Sequence, residues 1–99
     1  MKAFRLSQEA SQDLIEIFEY IAQDSFEAAE HVRLEILEAL RGLAGMPGKG
    51  HRREDLTKRP VLFWPVRSYL IIYRPATQPL EVVAVLHGKR NIRRILRDR

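Results

Sequence analysis

Phe63-Trp64-Pro65-Val66-Arg67-Ser68-Tyr69-Leu70-Ile71-Ile72-Tyr73-Arg74 is the stretch on which the fold turns. It reads as two strands, Val61–Arg67 and Tyr69–Arg74, with Ser68 alone between them. A turn from Pro75 to Pro79 leads to a third run, Leu80–His87, so the three form an antiparallel meander. Pro65 has no N–H to give a ladder, which places the first of them at a sheet edge. Tyr69 to Tyr73 is apolar on both faces, and Val82 to Leu86 is unbroken. A sheet with one wet face should alternate, so both faces expect a cover.

Upstream of the meander lies one such cover. Ala3 to Leu6 reads as a short opening strand, and Ser7 is a good N-cap with Glu9 in the first turn, where the helix dipole favours an anion. From Gln8 to Gln23, Ala10, Leu14, Ile17, Phe18 and Ile21 recur at helical spacing. Glu9, Asp13, Glu16 and Glu19 fall elsewhere, which predicts an acidic outer face. Asp24 followed by Glu27 matches a capping box and predicts a second helix from Ser25 to Ala44, with Ala29, Val32, Ile36, Ala39, Leu40 and Leu43 as its stripe. The short interval between the helices makes them an antiparallel hairpin. Leu34 and Leu37 project away from that stripe; scattered exposed leucines are normal, but two on neighbouring positions could serve a partner.

Gly42, Gly45, Pro47, Gly48 and Gly50 end the helical signal, and residues 45–60 read as a charged loop. Asn91 to Arg99 suits one or two helical turns, with Ile92, Ile95 and Leu96 on the apolar side. The expected fold is α+β, in the order β-α-α-β-β-β with a helical tail. An antiparallel sheet of about four strands carries the α-hairpin on one face. The tail would cover part of the other face and a second chain the rest.

The chain has 99 residues, 45% of them hydrophobic, so one domain over residues 1–99 with one core is expected. Apolar runs fall short of the ~18 residues a membrane span needs. The absence of cysteine excludes disulfides and thiolate metal sites and fits a reducing cytoplasm. Net charge is divided: residues 1–44 hold four bases and nine acids, residues 45–99 thirteen bases and four acids. One reading is a basic face for an acidic partner; the other is two solvated faces of opposite sign.

Nucleophile elbows, HExxH, Walker A and dinucleotide fingerprints are absent, and Gly48-Lys49-Gly50 lacks the Ser or Thr of a phosphate loop. His31, His51 and His87 are too scattered in sequence for a local metal cluster, so neither metal nor cofactor is expected. The basic residues remain. Arg67 and Arg74 end strands, and Lys89, Arg90, Arg93, Arg94, Arg97 and Arg99 crowd the tail. Arginine's planar fork suits phosphates and carboxylates, and Trp64, Tyr69 and Tyr73 lie near enough in sequence to stack on bases. The alternative is that the aromatics fill the core and the tail charges are solvated.

In order and spacing these residues resemble the RelE/ParE superfamily of type II toxin–antitoxin toxins. The resemblance runs through Leu6-Ser7, Ala10, Asp13-Leu14, Ile17 and Tyr20-Ile21-Ala22, then Gly50, Arg53, Asp55 and Leu56. It continues through Phe63 to Arg74 and ends on Val85-Leu86-His87-Gly88-Lys89-Arg90. RelE-type resemblance implies messenger RNA cleavage on the ribosome by basic residues and a late tyrosine. Here Leu70 stands where a strand arginine is expected and Leu96 where that tyrosine is expected. Each loss would cost ~10²–10⁴-fold in rate.

ParE-type resemblance implies a toxin that poisons DNA gyrase by binding, with no catalytic residue, held in a hetero-oligomer by a ParD-like antitoxin. On that reading Arg67, Arg74, His87, Arg90, Arg93, Arg94 and Arg97 meet the target, while Leu34, Leu37, Tyr69 and Tyr73 meet the antitoxin. The rivals are a RelE-like endoribonuclease using Arg90, His87 and Lys58 or Arg59, and a non-toxic basic nucleic-acid-binding module.

Overall fold

The structure is a computed structural model and describes residues 3–99. Strand β1 (Phe4–Leu6) leads into helices α1 (Gln8–Ala22) and α2 (Phe26–Gly45). After a 3-10 turn at Pro47–Lys49 come β2 (Leu62–Val66), β3 (Tyr69–Arg74), β4 (Leu80–His87) and a last helix, α3 (Ile92–Arg97). Ser7 caps α1 as expected, its Oγ accepting from the Ala10 N–H at 3.0 Å. The cap of α2 is Ser25 rather than Asp24. Asp24 is still held by the end of α1, its N–H donating to the Ile21 carbonyl, and the extended backbone of Ser25 brings its Oγ to the Ala28 N–H.

The sheet order is β1-β4-β3-β2. The meander is antiparallel with Val66 opposite Tyr69, so Arg67 and Ser68 make a two-residue hairpin turn. β1 departs from the expected pattern: it runs parallel to β4, with Leu6 opposite Val82, so the sheet is mixed. The physical reason is an extra reversal of the chain. Segment 46–61 carries it back after α2, so β2, and therefore β4, runs in the direction of β1. As Pro65 implied, β2 is an edge strand. His51 closes part of that edge by exchanging both backbone hydrogen bonds with Phe63, at 2.9 and 2.7 Å.

Two apolar clusters sandwich the sheet. On one face Val32, Ile36, Leu40 and Leu43 of α2 and Ala10 of α1 pack on Ile71, Tyr73, Val82 and Val85. On the other, Ile92 and Leu96 of α3 join Val61, Phe63, Ile72, Ala84 and Leu86. The second cover is thus supplied within the chain, and no partner is needed for it. Ile72 and Ala84 are fully buried and Leu86 is 1% exposed.

β4 is interrupted by a bulge. Its register against β3 shifts between Ile72 and Tyr73, which leaves Val83 as the extra residue of a bulge. Before the bulge Val82 turns its carbonyl toward β1, where it accepts from the Ser7 N–H. After it, Val83 and Val85 point their backbone groups out of the same edge, beyond the point where β1 ends. Three side chains meet them: Ser7 Oγ donates to the Val83 carbonyl, Asp13 Oδ2 accepts from the Val85 N–H, and Arg99 Nη1 reaches Val83 at 3.4 Å.

Candidate functional site

The tail arginines converge as their spacing allows. α3 is held to the sheet by Ile92 and Leu96, so Arg93, Arg94 and Arg97 are turned outward and exposed. With Arg90 from the preceding turn, and with Leu56, Asn91 and Ile92, they line a shallow depression of about 370 Å³. The loop locks this surface in place. Arg93 donates to the Asp55 carbonyl at 2.6 Å, and Arg59 donates to the Leu96 carbonyl at 2.8 Å near the end of α3. Arg59 therefore has a structural duty that its place in a charged loop did not reveal.

The other expected target residues divide. His87, at the end of β4, shares a second cleft with Arg90, which lines both. Its Nδ1 accepts from the Lys89 N–H at 3.1 Å, so in the neutral ring the proton sits on Nε2. Arg67 is at the same end of the sheet, but its fork is spent on Glu35 of α2, with bonds of 2.8 and 2.6 Å. That hydrogen-bonded fork holds the Glu35 carboxyl below its ordinary range and lifts the guanidinium above its own. Arg74 sits at the far end of β3, 3.4 Å from Glu81, which also binds Arg5. It is not part of the cluster.

The expected antitoxin residues do not form one surface either. Leu34 is 51% exposed on the outer side of α2. Leu37 is half-buried and, with Leu14, Ile15 and Phe18, lines an apolar groove of about 470 Å³ between the helices. Phe26, 66% exposed, meets Phe18 edge to face. Tyr69 belongs to the cleft of His87, and burial pushes its phenol up. Tyr73 is a correction: it is fully buried and cannot touch a partner. Its hydroxyl accepts from the Gly50 N–H at 2.9 Å and donates to the Pro47 carbonyl at 2.7 Å, tying the loop to the sheet. Gly50 is required there, because a Cβ would lie 2.5 Å from that hydroxyl. Tyr73→Phe is expected to leave both loop groups unpaired and lower stability by about 1–3 kcal/mol, read from urea unfolding.

Asp13 is a second correction. Helical phase puts it on the acidic outer face of α1, yet Asp13 is 6% exposed and chelated by Arg99 at 2.6 and 2.8 Å. A third group was not foreseen: Lys49 lies 4.6 Å over the Trp64 ring, and His51 stacks on Trp64 at 6.0 Å. Among the described residues no three His, Asp or Glu side chains could hold a metal ion together, and no helix is long and apolar enough to cross a membrane.

Residues 4–92 match the family model of the ParE toxin of the type II toxin–antitoxin system parDE. The chain belongs to the ParE toxin family. A solved structure of a chromosomal ParDE toxin–antitoxin system from P. aeruginosa has the same fold, with a TM-score of 0.69 and 18% identity. The similarity covers 88% of this chain and 96% of that one. No curated protein sequence matches. In this ParE toxin the family match takes in β1 through Ile92, so most of α3, with Arg93, Arg94 and Arg97, lies beyond it.

Proposed function

We propose that this ParE toxin inhibits DNA gyrase by docking on it, without breaking a bond itself, and that a ParD-like antitoxin silences it. The observation that carries the reading is the state of position 96. The resemblance to RNA-cleaving relatives asks for an accessible tyrosine there, and Leu96 is a core residue at 1% exposure. The outward arginines of the depression offer charge but among themselves no acid or base of suitable strength; the imidazole of His87 lies in the neighbouring cleft. Guanidinium stays protonated through the physiological range, so Arg90, Arg93, Arg94 and Arg97 recognise anions well and move protons poorly. Such a surface suits an enzyme engaged with DNA. For the antitoxin, the exposed apolar side chains Ile15, Phe26 and Leu34 on the outer hairpin are the surface an inhibitor would bury.

The test uses the purified full chain in two assays. Gyrase supercoiling should be inhibited with accumulation of cleaved DNA, and toeprinting of a translated message should show no toxin-dependent cut. Replacing Arg93, Arg94 and Arg97 together by glutamate should weaken gyrase inhibition on the order of 100-fold or more. Ribosome-dependent cleavage with supercoiling intact would replace this reading by the endoribonuclease one. Tight, steeply salt-dependent binding to naked DNA, with no effect on gyrase, would replace it by a nucleic-acid-binding module.

A further inference from the structure

Arg90, Arg94 and Arg97 differ from most of the chain's arginines in what faces them. Seven of the thirteen lie 2.6–3.7 Å from a carboxylate. Arg59 and Arg93 donate to backbone carbonyls, which fix a guanidinium without cancelling its charge. Arg41 stands apart on α2, and the remaining three meet in the depression beside α3, with no ion-pair partner among the described residues. Arg94 and Arg97 are three residues apart on one helix, where like charges repel unless an anion lies between them. Asn91 spends its Oδ1 on the Arg94 N–H at 3.2 Å, which leaves its amide NH2 for the depression. The side-chain polar groups still free there are thus all donors. Neither an acid nor an aromatic ring lines the depression. Its two apolar residues, Ile92 and Leu56, pack into the second core.

From this arrangement we infer that the depression grips the phosphate backbone of the DNA that gyrase holds, taking about two or three consecutive phosphates of one strand. The toxin would then touch nucleic acid as well as enzyme in the inhibited complex. The inference rests on the gyrase reading above. Phosphate oxygens only accept, a strand presents them at short regular intervals, and the guanidinium fork binds them bidentately. An acidic protein surface has the same polarity. A protein interface, however, is centred on aromatic or apolar anchors seated in pockets, and this depression offers none that is free. The surface is also ready-made. The bonds from Arg93 to Asp55 and from Arg59 to Leu96 hold α3 before anything docks, so little ordering is left to oppose binding. About three phosphates are too few for tight binding to a duplex by itself. DNA is therefore engaged where gyrase presents it, which separates this contact from that of a general nucleic-acid-binding module.

Two measurements on the purified full chain and reconstituted gyrase decide the matter. The toxin should bind gyrase carrying a duplex at least about tenfold more tightly than DNA-free gyrase, and that advantage should fall with salt at a log–log slope of about −2 to −3. Arg94→Ala combined with Arg97→Ala should cut the advantage to about twofold or less. The second measurement identifies the neighbour directly. Because the chain has no cysteine, Arg94→Cys can carry a photoactivated crosslinker at that one site, with Arg90 and Arg97 still in place. Irradiation of the inhibited complex should join it to DNA. Attachment to gyrase polypeptide alone, or a DNA advantage that persists in the double variant, overturns the phosphate contact and leaves the gyrase reading standing. Supercoiling undisturbed by the intact chain, with no binding to gyrase in either state, overturns both.

Discussion

Asp13→Ala is expected to lower the unfolding free energy by about 3 kcal/mol, near the bottom of the range for breaking a buried ion pair. In a 99-residue chain that is a shift in Tm of roughly 12–24 °C, measurable by thermal or urea unfolding. The size follows from what the carboxylate holds. Asp13 accepts two hydrogen bonds from Arg99 and one from the Val85 N–H, so its loss strands a guanidinium, opens the β4 edge and unties the tail from α1. The adjoining cleft admits water to the Val85 N–H, which keeps the loss near 3 rather than 5 kcal/mol. Asp13→Asn keeps an acceptor for Val85 and should cost about half as much. Arg99→Ala should be non-additive with Asp13→Ala, with a coupling of at least about 1 kcal/mol. At 17% and 6% side-chain exposure the pair is shielded, so salt should change the effect little.

This pair also marks where reading the sequence stops. Elements longer than a turn were legible, because the apolar period in α1 and α2 and the unbroken runs in β3 and β4 each admit one reading. Pro65 gave the edge position of β2 correctly. The direction of β1 was not legible, since three residues carry no polarity and the deciding reversal lies in segment 46–61, which has no period. Asp13 sits on the polar side of α1 by helical phase. Only the bulge at Val83, a property of the paired strands, creates the backbone donor that draws Asp13 inward. Of the arginines, clustering on one surface was legible for Arg90, Arg93, Arg94 and Arg97, because they share a turn and a short helix. Arg67 and Arg74 read alike in the sequence as strand ends, yet Arg67 falls in the turn after β2, and the fate of each depends on Glu35 and Glu81, acids 32 and 7 residues away in sequence that only the fold brings near.

Leu96→Ala is expected to remove gyrase inhibition while most of the fold survives, at a stability cost of about 2–5 kcal/mol. α3 has six residues, too few to stay helical alone, and it is held by the two buried side chains Ile92 and Leu96. Shortening Leu96 leaves a cavity against Leu86 and Ile72 and frees the last turn, so Arg93, Arg94 and Arg97 lose their fixed spacing. The hairpin's main cluster lies on the opposite face of the sheet, so α1 and α2 should keep their far-ultraviolet signal at temperatures where the tail has frayed. Leu96→Tyr provides the contrast that separates docking from chemistry. It restores the residue that RNA-cleaving relatives are expected to carry, but at a buried position, where the larger ring should cost about 1–3 kcal/mol and present no hydroxyl to solvent. That variant should gain no ribosome-dependent cleavage by toeprinting and should lose gyrase inhibition only to the extent that α3 loosens. Cleavage gained by Leu96→Tyr would mean that a phosphate-handling site is already assembled around Arg90 and His87.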